Sequence, residues 1–316
     1  MTSAPPKTLQ SLPGHVAGSD DDWTLEITAY NGLFAIPFAE IWRYRDLLLL
    51  LVHRDFVSLY KQTVLGPLWF LIQPVLTTIV FTIVFGGIAG LSTDGLPQGL
   101  FYMSGIVCWS YFSECLTKTS ETFTQNANIF GKVYFPRIII PLSVVITNLL
   151  RFGVQFALFL TFCMWYAFHG TAIHWNWAVL LTPLLLVLMG MLSLGMGMII
   201  SSLTTKYRDL RFLLQFAVQL LMYATPVIYS VSSLPSRYRS LITSNPLSAI
   251  IETFRFAFLG AGSFDWTQLL YSAFATCLIL AVGVVIFNRV GEPVETLVET
   301  IILRRTRSLH EPPSIP

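Results

Sequence analysis

Between two long hydrophobic runs stands a polar stretch, NANIFGKVYFPR, from Asn126 to Arg137. Its Gly131-Lys132 pair imitates the end of a phosphate-binding loop, where backbone N–H groups cradle phosphates and a lysine reaches the outer ones. The imitation fails at two positions. Val133 follows the lysine where Ser or Thr must hold magnesium, and Asn126 stands where the first glycine is required. The chain is therefore not its own ATPase, and the stretch needs another use.

Other reactive groups are few. His169 and His174 have no carboxylate or thiol beside them to complete a metal set, so no metal site is expected. No His/Glu helix pair or Ser/His/Asp set is suggested, which an intramembrane enzyme would need. Cys108, Cys115, Cys163 and Cys277 lie in or beside apolar runs without C-x-x-C spacing and read as buried thiols. Glu114, Lys118 and Glu121 follow one another at i, i+4 and i+7. Glu114 and Lys118 then share a helix face, which favours a structural ion pair over an ion-coupled transport site. Arg151 lies inside an apolar segment longer than a span needs. It is expected near the cytoplasmic boundary with its head snorkelling to water, and a substrate contact is the alternative.

The elements that position these groups belong to a bilayer. Hydrophobic residues make up 54% of the chain and charged residues 11%. Several apolar runs approach the roughly 20 residues that cross about 30 Å of hydrocarbon as a helix. The ten-residue alternation of a barrel is absent, so the fold expected is all-α and polytopic. Six spans are expected: about Leu65 to Ile88, Leu100 to Ser120, within Ile138 to Phe168, Trp177 to Leu203, Phe212 to Tyr229, and Trp266 to Phe287. With six spans and both termini in the cytoplasm, 14 of the 19 Lys and Arg residues fall inside, 3 outside (Arg237, Arg239, Arg255), and Lys118 and Arg151 are intermediate. An odd number of spans would spoil that bias. The net charge of +2 and the lack of a basic tract interleaved with aromatics exclude nucleic acid as a partner.

Four regions follow. Residues 1–37 read as a disordered cytoplasmic tail, residues 38–62 as an amphipathic helix, residues 63–290 as the six-span domain and residues 291–316 as a cytoplasmic tail. In the second region the apolar core Leu47 to Val52 is too short to cross, and Glu40, Arg43, Arg54, Ser58 and Lys61 share one side. A helix in the cytoplasmic interface fits this pattern, and a solvated helix packed on the bundle is the alternative. After the fifth span, Pro235 and the Asn245-Pro246 cap predict two short helices. In the second, Glu252 and Arg255 share a face. Such helices can dip into the outer leaflet, or the region can be an ordinary external loop.

The stretch from Arg43 to Pro74, RYRDLLLLLVHRDFVSLYKQTVLGPLWFLIQP, resembles the permease subunits of type-2 ABC transporters that export polysaccharides, including O-antigen and teichoic-acid exporters. NANIFGKVYFPRIIIPL, KYRDLRFLLQF, TPVIYSVSSLPSRYR and NPLSAIIETFRFAFLG match in the same order, so the resemblance covers about Phe38 to Arg289. Arg151 departs from the acidic or neutral residue often found there in such permeases, and no role transfers to it.

The resemblance implies a homodimer of multi-pass subunits in a bacterial inner membrane, above two copies of a separate ATP-binding subunit. That partner binds ATP and magnesium, and this chain carries no cofactor. Asn126, Asn128, Lys132, Tyr134, Phe135 and Arg137 map onto the coupling helix that docks in the ATPase. The helix from about Arg43 to Tyr60 maps onto the interface helix, and Pro235, Arg237, Asn245, Pro246, Glu252 and Arg255 onto an external gate. The implied cargo is a glycan on a polyprenyl diphosphate, with Arg54, Lys61 and Arg211 as candidates for the diphosphate. Trp69, Phe70, Trp109, Tyr111, Phe112 and Tyr223 are candidates to guide the sugars, since aromatics stack on sugar rings without carrying charge. A type-2 ABC permease for a small hydrophobic compound is the rival, with a membrane glycan-processing enzyme or a passive channel behind it.

Overall fold

The computed structural model describes residues 38–61, 64–126, 135–171, 173–207 and 209–310, and no side chain is described for 38–40, 59–60, 206 or 290–310. The chain divides into residues 1–32 and 33–316. The first unit and the rest of the expected tail over 1–37 lie outside the described residues, as do Asn128, Lys132 and Tyr134.

The second unit is helical, with no strand among the described residues. Helices α1 (Phe38–Arg43) and α2 (Arg45–Tyr60) are separated by a break at Tyr44. A short 3-10 turn over Gly66–Leu68, with its proline in the first turn, leads into α3 (Trp69–Phe81), which continues as a wide π-helical stretch over Thr82–Ile88. Pro74 sits inside α3, and the hydroxyl of Thr78, one turn further on, donates to the Pro74 carbonyl at 2.7 Å. Then come α4 (Gln98–Ser120), α5 (Thr122–Gln125) and α6 (Ile139–Phe168). They are followed by α7 (Thr182–Lys206), α8 (Leu210–Tyr223), α9 (Ser236–Thr243), α10 (Pro246–Leu259) and α11 (Trp266–His310).

Four segments are long and apolar enough to cross a bilayer: Gly66–Ile88, Ile139–Phe168, Trp177–Thr205 and Trp266–Arg289. They coincide with four of the six expected spans. The expected second span is α4, which at 23 residues reaches about 34 Å but is too polar to qualify by composition. Its position explains this. α4 packs against α3, α6, α7, α8 and α10, and 16 of its residues are buried. A helix screened from lipid by its neighbours has no need of an apolar surface all round.

The expected fifth span, Phe212 to Tyr229, is corrected. α8 ends at Tyr223 after 14 residues, about 21 Å, and the chain turns at Ala224. Pro226 lacks the N–H that would continue the helix, and the carbonyls after Tyr223 are recruited by a buried cation described below. Over residues 291–310 the expected C-terminal tail is helical, since α11 runs on to His310.

Packing depends on close backbone contact. At the crossing of α7 and α11, a Cβ on Gly195 would come within 2.7 Å of the Leu280 Cα, and one on Gly283 within 3.0 Å of the Gly195 Cα. Only hydrogens fit there, which is how apolar helices gain dispersion contact without a hydrophobic driving force between them. Cys108, Cys115 and Cys163 are buried, as expected, but Cys277 lies exposed on α11.

Candidate functional site

At one end of the bundle α10 is not a surface loop. Asn245 caps it by accepting from the Leu247 N–H at 3.0 Å, Pro246 fills its first turn, and Gly260 ends it in the left-handed region at φ 72°. Twelve of its fourteen residues are buried. α9, begun by Pro235 and carrying Arg237, has no buried residue. One short helix is thus sunk into the core and the other stands clear of it.

Arg255, counted above among external charges, is 1% exposed. Its guanidinium donates to the carbonyls of Pro226 and Val227, the latter at 2.7 Å, and to the Ser104 hydroxyl at 3.3 Å. It also contacts the Glu252 carboxylate at 3.4 Å. Glu252 accepts in turn from the Ser263 N–H at 3.4 Å. Burial pushes the Glu252 carboxyl above its ordinary range, and the guanidinium beside it pulls the other way. The cation therefore fastens α4, the turn after α8, and α10 at one point. Gly105 makes room for it, since a Cβ there would stand 2.8 Å from both Arg255 Nη2 and the Val227 oxygen. Beside this point Asp94, with φ at 53°, accepts from the hydroxyls of Ser230 and Ser232 and ties the 89–97 loop to the 224–235 loop. The Asp94-Gly95 dipeptide was the available turn signal.

Toward the other end, the head of Arg151 is held by groups on two other helices. Its Nη1 meets Glu114 Oε1 at 2.9 Å, its Nη2 donates to Gln73 Oε1 at 3.1 Å, and its guanidinium lies 5.3 Å from the Phe70 ring centroid. Lys118 approaches the second oxygen of Glu114 at 3.6 Å. The expected Glu114–Lys118 pair is present, and sequence reading missed that Arg151 and Gln73 complete it from α6 and α3. The only signal was the presence of polar residues inside apolar runs.

The coupling stretch is described at its edges. The Asn126 amide caps α5 by donating to the Thr122 carbonyl at 3.0 Å. Phe135 is buried with Leu51, Ile139 and Ile140, so it fastens α2 to the start of α6. Arg137 is half-buried beside it.

The diphosphate candidates are not gathered in one place within the chain. Arg54 is paired with Asp55 at 2.7 Å, Lys61 is exposed just past α2, and Arg211 lies in the first turn of α8. α2 packs on α6, whereas α8 packs on α4 and α7. Of the conduit candidates, Phe70, Trp109, Tyr111 and Phe112 are enclosed by this chain's own helices, while Trp69 and Tyr223 are about half exposed, at 49% and 50%. Among the described residues no group of three or more His, Cys, Asp or Glu side chains could hold a metal ion.

The sequence model of the ABC-2 type transporter matches residues 46–259, more than half of the chain, from the second residue of α2 to the end of α10. The chain belongs to the ABC-2 type transporter family. It is thus a membrane-embedded transport permease rather than an enzyme, and the family implies an ATP-binding partner. It is similar to the O-antigen export system permease protein RfbA of Klebsiella pneumoniae, 28% identical over 245 residues, covering 77% of this chain and 92% of the relative. It is similar to the polysialic acid transport protein KpsM of Escherichia coli, 23% identical over 238 residues, covering 74% and 90%. It is also similar to the inner membrane transport permease YadH of Escherichia coli K12, 28% identical over 238 residues, covering 72% and 85%.

Proposed function

We propose that this permease exports a polysaccharide, assembled on a polyprenyl diphosphate, across a bacterial inner membrane. Two copies of the chain would sit above two ATP-binding subunits that bind ATP and magnesium. The observation that carries the reading is near full-length similarity to an O-antigen export permease, over the helices that hold α4 and α10 in the core. The relative named for polysialic acid transport supports a polymeric sugar as cargo. YadH, named for the inner membrane, supports that location.

Geometry supports the dimer. Four of the six aromatics able to guide sugars are sealed inside the subunit, so a path for a bulky polymer fits the outer faces of α3 and α8, where Trp69 and Tyr223 are open. Two copies facing one another would enclose such a path. Six crossings, with α4 and α8 completed by neighbours and both termini cytoplasmic, agree with the distribution of Lys and Arg. α1 and α2 would form the interface helix, α9 and α10 the external gate, and the stretch from Asn126 to Arg137 the contact with the ATPase. Arg54, Lys61 and Arg211 would meet the diphosphate at the inner boundary, with Arg211 contributed across the dimer.

The test is coexpression with its ATP-binding subunit in a strain lacking its own exporter but able to make the lipid-linked glycan. Surface glycan and glycan-stimulated ATP turnover are the expected results. ATP turnover driven only by small hydrophobic compounds would replace this reading with its rival.

A further inference from the structure

Among the described residues, the cluster around Arg151 sets two cations against one carboxylate. Glu114 offers one carboxylate, and two cations take its two oxygens: Arg151 at 2.9 Å and Lys118 at 3.6 Å. Gln73 adds a neutral acceptor, and the Phe70 ring faces the guanidinium. Arg151 Nε is buried with no hydrogen-bond partner among the described residues. Glu114 lies six residues before the end of α4, and Gln73 seven residues after Gly66 begins the α3 segment. At 1.5 Å per residue both stand about 10 Å inside the helix ends, within the depth of one leaflet. An unbalanced cation at that depth is expensive and calls for a counter-charge. The cluster is not sealed, since the side chains of Lys118 and Glu114 are 34% and 31% exposed.

We propose that Arg151 and Lys118, oriented by Glu114 and Gln73 between α3, α4 and α6, seat a phosphate group carried on a lipid. Phosphate oxygens accept charge-assisted hydrogen bonds from a guanidinium and an ammonium together, and they add negative charge beside two cations that share one carboxylate. A lipid phosphate also arrives with an apolar tail suited to the exposed surface of α3, where Leu76, Ile79 and Val80 point outward. Glu114 holds the two cations apart and competes with the ligand, which keeps the seat reversible. The phosphate belongs either to a bulk anionic phospholipid or to the carrier lipid of the cargo. The seat does not depend on the polysaccharide reading, and its test measures lipid binding instead of export.

The experiment is equilibrium binding of labelled lipids to the purified full-length permease. The probes are phosphatidylglycerol, undecaprenyl diphosphate and, as the neutral-headgroup control, phosphatidylcholine. Arg151→Gln is expected to weaken binding of at least one of the first two about tenfold, and Glu114→Gln to strengthen it about fivefold, with phosphatidylcholine unchanged. A response with phosphatidylglycerol alone assigns the seat to bulk lipid, and one with undecaprenyl diphosphate alone assigns it to the carrier. A collapsed fold would weaken all three lipids in Arg151→Gln. Glu114→Gln then decides, because strengthened phosphate binding sustains the seat while unchanged or weakened binding overturns it. Wild-type binding of both phosphate lipids by Arg151→Gln also overturns it.

Discussion

The guanidinium of Arg255 sits over the ring of Phe101, 3.8 Å from its centroid, and so joins the sunken α10 to the central α4. A fully buried cation held by a ring, carbonyls and one carboxylate is costly to disturb, because the partners left behind lose a hydrogen bond that stands in for water. Arg255→Gln should therefore destabilise the protein by about 3–5 kcal/mol, the range for breaking a buried ion pair by removing one partner. Thermal unfolding in detergent is the measurement. Gly105→Ala, which pushes a methyl against Arg255 and Val227, should cost about 1–3 kcal/mol by overpacking.

The α7–α11 crossing makes a separate prediction. Gly195→Ala and Gly283→Ala both place a methyl against backbone atoms, which cannot swing aside as the end of a side chain can, so each should lower the unfolding temperature. Gly153→Ala is the control. A Cβ there meets nothing within 4 Å, and alanine in a helix interior is favoured over glycine by about 1 kcal/mol, so it should be neutral or stabilising.

Phe135 separates packing from coupling. Because it is buried against Leu51, Ile139 and Ile140, Phe135→Ala should reduce stability by about 3–5 kcal/mol as well as export. Phe135→Leu, closer in volume, should recover much of both. Tyr134→Ala is expected to let ATP turnover in the reconstituted complex proceed without export. Full export by Tyr134→Ala would remove the coupling role.

Among the described residues Arg54 pairs with its neighbour Asp55 alone, a largely exposed pair worth about 1 kcal/mol or less. It can turn to a phosphate at small cost. The double change Arg54→Gln with Lys61→Gln should raise the concentration of lipid-linked glycan needed for half-maximal ATP turnover by about tenfold, with little change in unfolding temperature. Unchanged stimulation would dismiss both residues from diphosphate recognition.

Much of the architecture was legible in the residue order. Four spans were expected within a few residues of where they lie, because lipid demands a long uninterrupted apolar run and such a run is visible in one dimension. The breaks at Pro235 and Asn245-Pro246 located α9 and α10 for a similar reason, since caps and prolines act on the next few residues of backbone. The pairing of Glu114 with Lys118 was also readable, being set by one helical turn.

What lay beyond the sequence was every question of which side chain meets which across helices. Arg255 looks like one more charge near a membrane end, and only packing turns it into the buried centre of three elements. The same packing ends α8 at Tyr223, because the carbonyls after it serve Arg255 instead of a continuing helix. Trp109, Tyr111 and Phe112 have the chemistry to stack on sugars, but enclosure depends on where α6, α7 and α10 lie. Arg151 has a stem long enough to reach the boundary, and the carboxylate on α4 holds it in place. Spacing along one helix determines local partners, whereas burial and charge balance arise between helices far apart in the chain, and tertiary structure alone decided them.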